Sequence, residues 1–445
     1  MSSESYAIDQ LAEWVHTTGS AGAPAEVMHQ AKRCVLDAVA CATAGYGHPS
    51  VAKVSAACRA NFSGGSSEVW FSRDTLSPVG ASMINANASS ILDLDDGNRQ
   101  AMGHPGGAVV PAVLAVGQQI EASPSAMLRA IIVGYEVAVR VGAAEQRSSY
   151  HSGNFASFGV AAAIGVLKGL DPQKIAHALG VVAYYGPRVS DLTLSNEMSS
   201  NVKESMPWSV VAGAMAADLA AAGFTGIRDA LDNPERIDKR RLLNGLGDSY
   251  AIDRTYFKKY SCCRWIHSAV EALVYILEEK KIQLSDVEQV NVETFSQARQ
   301  LNNATDPDTL EGAQYSVPFC LGVAAVHGEE KLMPLTRDIL GDPAVVEQAR
   351  KVSVVSTDRM DAMFPDTTPA EVVIVAGGER FHRSIEHPWG DACTPPADDE
   401  LVAKFHAIAK GLMPETRVSA IANCILDDAG SIRSLPNLLR EPLVS

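Results

Sequence analysis

The chain lacks a basic balance. It carries 37 Lys and Arg against 52 Asp and Glu, a formal net charge of −15. That excludes nucleic acid as the expected partner, because binding it needs a basic face. Small anions are not excluded, since local Lys, Arg and His capture them whatever the global sign. Long apolar runs are also missing. The longest, near residues 158–167, is too short to span a bilayer and contains Gly. The start, Met-Ser-Ser-Glu-Ser-Tyr-Ala-Ile-Asp, has no basic stretch followed by an apolar one, so no signal peptide is expected. None of the eight cysteines lies in a Cys-x-x-Cys pattern, and the expectation is reduced thiols in a cytoplasmic protein with no membrane contact. Gly-x-Gly-x-x-Gly, the P-loop, Gly-x-Ser-x-Gly and His-Glu-x-x-His are absent. With them go the usual signatures of nucleotide cofactors, serine hydrolysis and zinc proteolysis. No cofactor and no metal are expected.

What is present is helix after helix. At 445 residues the chain exceeds one simple core, so two domains are expected. Apolar residues recur at three-four spacing over 8–15 and 26–44, and small-residue helices are predicted over 78–92, 109–120, 125–143, 155–169, 175–184 and 208–222. After about His267 the character changes. Val287 to Thr294 alternates like a half-buried strand, a strand follows helix 344–351 at 352–357, and 370–376 and 379–385 flank the hairpin signal Gly377-Gly378. Helix is predicted over 268–280 and 315–327 and returns at 398–412 and 418–427. The expected fold is mainly α. An all-helical domain is built from 1–266 and 398–445, with an α+β domain inserted at 267–397.

Polarity is concentrated between two apolar helices at 93–106, Asp-Leu-Asp-Asp-Gly-Asn-Arg-Gln-Ala-Met-Gly-His-Pro-Gly. Charge there is costly unless paired or used, and the segment reads as one wall of an active site. His104 can serve as acid, base or carboxylate anchor, or simply bond a nearby carboxylate, and the flanking glycines let backbone approach a ligand closely. Asp93, Asp95 and Asp96 either hold a divalent cation or, as the plainer reading has it, orient His104 and pair with Arg99 or a lysine. Tyr150-His151 precedes an Ala-rich helix. An imidazole at a helix N-terminus favours its neutral form, which suits either a base or a helix cap. Lys203 and Lys258 sit among aromatic and small residues rather than in charge runs. A partly buried lysine can give or take a proton, whereas a lone one more often faces solvent. Arg264 and His267 lie close to Lys258 in sequence and add weight to that segment.

At these residues the chain resembles the MmgE/PrpD family, along essentially its whole length. The matching segments are Leu-Asp-Leu-Asp-Asp with Gly-His-Pro-Gly at 92–106, Tyr-His-Ser-Gly-Asn-Phe at 150–155, Asn-Val-Lys at 201–203 and Phe-Lys-Lys-Tyr-Ser-Cys-Cys-Arg-Trp-Ile-His at 257–267. That family includes 2-methylcitrate dehydratase, cis-aconitate decarboxylase and iminodisuccinate epimerase. The resemblance implies an active site between a helical domain and a smaller lid domain, a homodimer, no cofactor, and pocket residues at Asp93, His104, His151, Lys203 and Lys258. Three departures stand out. The family's Asp-Asp-Thr is Asp96-Gly97 here, which removes a hydroxyl. Cys263 stands where the decarboxylase branch has a second His. Phe319 stands at the lid-helix Tyr, with Tyr315 one turn away. The expectation is therefore an epimerase resembling iminodisuccinate epimerase, acting on a small anionic carboxylate. The alternatives are a 2-methylcitrate dehydratase-type hydro-lyase, a cis-aconitate decarboxylase, or a non-catalytic carboxylate-binding protein. His104, Tyr150, His151, Lys203 and Lys258 are expected to be catalytic, with Lys258 facing Tyr150 or His151 across the substrate. Asp93, Arg99, Cys263, Arg264 and His267 are expected to bind substrate.

Overall fold

The computed structural model describes residues 5–145, 151–188, 200–427 and 431–444. The architecture is mainly α. The first half stacks α1 (Ala7–Ala21), α2 (Ala25–Gly45), α3 (Pro49–Asn61), α4 (Pro78–Ser90), α5 (Gly106–Gln119), α6 (Pro124–Ala144), α7 (Ser152–Leu167), α8 (Pro172–Tyr185), α9 (Met206–Ala221) and the short α10 (Lys239–Leu243). Helix α7 is the centre of this stack, packed against α5, α6, α8 and α9. Its residues 152–165 are all buried, Phe155 and Phe158 among them. Truncating Phe155 to Ala would cost about 3–5 kcal/mol.

Helices α4, α6, α8 and α15 (Pro343–Ala349) start on a Ser-Pro or Asp-Pro step. The side chains of Ser77, Ser123, Asp171 and Asp342 accept from the backbone N–H of Gly80, Ala126, Lys174 and Ala344. Each satisfies a donor that the first turn leaves free, and proline at the first position gives up an N–H that had no partner. Helices α5, α7 and α9 begin two or three residues before the apolar spacing does, on Gly106, Ser152 and Met206.

The second half contains α11 (Arg264–Lys280), α12 (Ser296–Arg299), α13 (Leu310–Ala313), α14 (Val317–His327), α15 and α16 (Asp358–Asp361), around one four-stranded sheet. The sheet is ordered β6 (Val352–Ser356), β5 (Val287–Thr294), β7 (Ala370–Ala376), β8 (Glu379–Ile385), with β5 and β6 parallel and the other pairs antiparallel. Gly377 and Gly378 close the β7–β8 hairpin at φ 58° and 79°, the positive pair a two-residue type I′ turn requires. Helix α11 packs against β7 and β8, and α14 against β6. The chain then returns: α17 (Asp398–Ala409) and α18 (Glu415–Leu426) pack on α2, followed by α19 (Leu435–Leu439). Two ladders are too short to show alternation in sequence. They are β1 (Ser67–Glu68) with β2 (Thr75–Leu76), and β3 (Gly97–Asn98) with β4 (Thr255–Tyr256). The second ladder matters most, because it brings the acidic segment beside the Lys258 segment.

Candidate active site

Asp93 follows α4 and is the focus of the site. Its backbone is left-handed at φ 52°. Oδ1 accepts from Lys203 Nζ at 2.5 Å and lies 3.4 Å from His104 Nε2. Oδ2 faces Lys258 Nζ at 3.1 Å, an ion pair that is not aligned as a hydrogen bond. All four side chains are buried. Burial pushes the Asp93 carboxyl up, but Lys203, Lys258 and His104 outweigh it and hold the group well below the usual carboxylate range. Burial pulls Lys203 down, and Asp93, Glu204 and Asp95 outweigh it in turn, keeping the ammonium charged above the ordinary lysine range.

His104 Nδ1 lies 2.7 Å from the Asp96 carbonyl oxygen, which can only accept, so Nδ1 carries a hydrogen. Nε2 is therefore the nitrogen aimed at Asp93. Lys203 also donates to the Tyr315 hydroxyl at 2.9 Å, and that hydroxyl donates to Glu204 at 3.2 Å. Glu204 in turn accepts from the N–H of Ser152 at 3.0 Å, at the start of α7. Tyr315, not Phe319, thus supplies the phenol at this site, because the turn before α14 points it at Lys203 while Phe319 is sealed in the core.

Asp96 is bonded within the protein, whereas both buried oxygens of Asp95 make no hydrogen bond among the described residues. Asp96 accepts from the Tyr135 hydroxyl and from the N–H of Gly106 at 3.3 Å. A Cβ on Gly106 would overlap Tyr135 and Asp96, and one on Gly107 would overlap Asp95. The glycines after His104 therefore admit the protein's own carboxylates to the N-terminus of α5. Burial, then Asp37, pushes the Asp96 carboxyl far up. Behind it, Asp37 on α2 accepts from the Asp96 N–H at 2.9 Å and from Lys404 on α17 at 2.6 Å, and Lys404 also reaches the Leu94 carbonyl at 3.1 Å. Asp93, Asp95 and His104 atoms come within 4.8 Å of one another. The donor set does not suit a metal ion, because Lys203 and Lys258 already occupy both oxygens of Asp93.

The remaining expected residues divide. Cys263 caps α11, is buried, and its N–H donates to the Gln314 carbonyl at 2.9 Å. Burial and then the Asp93 charge push its thiol up, so it stays protonated. His151 is a helix cap: Nδ1 accepts from the Asn154 N–H at 3.2 Å. Tyr150 lies outside the described residues. Arg99 and Arg264 do not gather on Asp93. They meet on Asp391, at 2.5 and 3.5 Å, and Arg264 also donates to the carbonyls of Trp389 and Pro388. The buried carboxylate of Asp391 is the counter-ion that these two guanidinium groups share. His267 is buried beside the Tyr260 ring, its Nε2 3.3 Å from the Cys262 carbonyl.

Sequence reasoning missed Tyr256. It pairs with Gly97 across the β3–β4 ladder, and a Cβ at 97 would overlap its hydroxyl. The phenol thus occupies the space where the family pattern puts a threonine side chain. Its hydroxyl makes no hydrogen bond among the described residues. Burial pushes its pKa far up, with Arg264 opposing and Cys263, Asp93 and Asp95 adding to it. The available signal was the glycine itself, which leaves room for a neighbour. Lys404 and Asp37 were also legible as charges set at apolar helical positions.

The MmgE/PrpD N-terminal domain model matches residues 9–241, and the MmgE/PrpD C-terminal domain model matches residues 260–428. The chain belongs to the MmgE/PrpD family. It is an enzyme of that family, whose members are lyases or isomerases. It is 25% identical to cis-aconitate decarboxylase of Aspergillus terreus over 485 residues, covering 98% of this chain and 96% of the relative. A cis-aconitate decarboxylase-like protein of Aspergillus oryzae is 22% identical, with 94% and 93% covered. The cis-aconitate decarboxylase of Mus musculus is 23% identical, with 94% and 90% covered. Among the described residues no helix is long and apolar enough to cross a membrane.

Proposed function

We propose that this MmgE/PrpD enzyme works without a cofactor and moves a proton on the carbon next to a carboxylate of a small di- or polycarboxylate. The observation that carries the reading is the placement of Lys203 and Lys258 on opposite oxygens of Asp93, beside His104. Cations so fixed in a buried site bind substrate carboxylates and stabilise the enolate-like charge left when the proton departs. In the first form the enzyme is an epimerase resembling iminodisuccinate epimerase. One base takes the α-proton and a group on the other face returns it, which needs two proton-carrying groups from different segments. His104, whose Nδ1 donates to the Asp96 carbonyl and whose Nε2 can accept a proton, and Lys203 or Lys258, which can return one, come from different segments. The second form is a lyase, favoured by relatives named as decarboxylases. There the same donors protonate a departing hydroxide or the carbanion left by loss of CO2.

In this reading residues 1–266 and 398–445 are the helical domain and 267–397 a lid, supported by the return of α17 and α18 to α2. A homodimer belongs to it as well. The exposed Tyr184, Tyr185, Trp208 and Met215 on the neighbouring α8 and α9 support that assembly. A cytoplasmic location completes the picture.

The test is proton NMR in D2O with the purified enzyme and iminodisuccinate stereoisomers, 2-methylcitrate, citrate and cis-aconitate. Deuterium entering an α-carbon with an unchanged skeleton supports the epimerase. A new vinyl signal from a hydroxy acid, or loss of CO2 from cis-aconitate, moves the assignment to the lyase form. No change with any compound sinks the reading. With the active substrate, Tyr256→Phe is expected to lower kcat/KM at least about tenfold, the loss of roughly one hydrogen bond to a charged group. Its urea midpoint should stay put, because the hydroxyl has no hydrogen-bond partner among the described residues to lose.

A further inference from the structure

We propose that His387, Asp391 and Cys393 form a second site, which binds a thiophilic divalent cation of the zinc class. All three lie in the loop between β8 and α17. His387 Nδ1 is 3.2 Å from Cys393 Sγ and 3.6 Å from Asp391 Oδ1, and Sγ is 3.1 Å from Oδ1. A zinc ion held tetrahedrally, about 2.0–2.3 Å from nitrogen, oxygen and sulfur ligands, sets those ligands about 3.3–3.6 Å apart. The three atoms already approximate one face of that tetrahedron. Imidazole, carboxylate and thiolate together are also the chemistry that selects zinc over magnesium or calcium.

The carboxylate is prepared for this role. Asp391 is wholly buried, and its Oδ2 is held by Arg99 and Arg264. Oδ1 accepts from the Cys393 N–H at 3.1 Å and points at the thiol and the imidazole. Such an outer ring of hydrogen bonds orients a ligand and is a usual companion of metal sites. His387 and Cys393 are exposed, so a cation can enter from solvent. A cavity of about 280 Å³ adjoins Cys393, lined also by Asn98, Arg99, Gln100 and Arg254. Its two arginines suit water or an anionic oxygen as the fourth ligand. On binding, the thiol proton leaves to solvent, and the Cys393 thiolate and Asp391 Oδ1 face the cation while Asp391 Oδ2 stays with Arg99 and Arg264. Arg99 stands in the same loop as His104, so the cation would tie the β8–α17 loop to the acidic segment.

Cobalt(II) titration of the full-length protein tests the proposal, because a thiolate ligand gives a sulfur-to-cobalt charge-transfer band in the near ultraviolet. The expected result is such a band saturating at one equivalent, together with the strong visible bands of tetrahedral cobalt. Zinc should displace it. The band should vanish in Cys393→Ser, and apparent affinity should fall at least about tenfold in His387→Gln. The Asp93, Asp95 and His104 group offers no sulfur, so cobalt bound there cannot produce the band. Absence of the band overturns the proposal, as does a band that survives in Cys393→Ser. If the serine variant fails to fold, an unchanged affinity in His387→Gln overturns it instead.

Discussion

Asp93, Lys203, Lys258 and His104 form a unit in which each charge is tolerable only because of the others. Taking one partner from a buried pair costs about 3–5 kcal/mol, since the remaining charge stays buried. His267 shows the opposite solution, a titratable ring kept neutral. Burial, then the Arg264 and Lys258 charges, pushes its pKa well below the ordinary value. The unfolded chain takes up a proton near pH 6.5 that the folded protein refuses, so stability is lost as pH falls through that value. The slope approaches about 1.4 kcal/mol per pH unit. Urea midpoints at pH 7.5 and 5.5 should therefore fall further in the wild type than in His267→Gln. An equal fall in both would show that another group carries the dependence.

One segment, not one residue, presents Lys203. Lys203, Glu204 and Ser205 are consecutive residues at φ 41°, 51° and 59°, immediately before α9. Each such non-glycine residue costs about 1–2 kcal/mol. The strain is held by the Lys203–Asp93, Tyr315–Glu204 and Glu204–Ser152 bonds, and its effect is to turn Lys203 back under α7 toward the acidic segment. Ser205 lends no side-chain bond to this arrangement. Ser205→Gly should thus raise the unfolding free energy by about 0.5–1 kcal/mol, strain relief exceeding the added freedom of the unfolded chain. Urea unfolding measures this, and a destabilised variant would contradict the account of the strain.

Across the whole molecule, Lys404 links the last part of the chain to the first. It bonds Asp37 on α2 and the Leu94 carbonyl just after Asp93. Lys404→Met should cost about 3–5 kcal/mol by leaving Asp37 buried without its cation. Adding Asp37→Asn, which keeps an acceptor for the Asp96 N–H, should recover most of that loss. Additive losses in the double variant would mean the two residues act separately. The same link explains why α17 and α18 belong structurally with α2, although the strands and α11 to α16 come between them in sequence.

Much of this was written in local sequence. Three-four and alternating spacing located the long helices and the four-stranded sheet, because periodicity reports which face of an element is buried. Gly377-Gly378 announced its hairpin through a backbone need that few other residues meet. The polarity of 93–106 and the unusual settings of Lys203 and Lys258 pointed to the residues that the structure gathers around Asp93, since charge among apolar residues needs a reason. Tertiary structure alone decided the partners. Arg99 and Arg264 turn to Asp391, Tyr315 takes the place considered for Phe319, Tyr256 fills the space over Gly97, and Lys404 reaches Asp37. A residue's type states that it needs a counter-ion, a hydrogen-bond partner or a space to fill. Which distant residue answers depends on how the helices and strands pack, and spacing along the chain does not contain that.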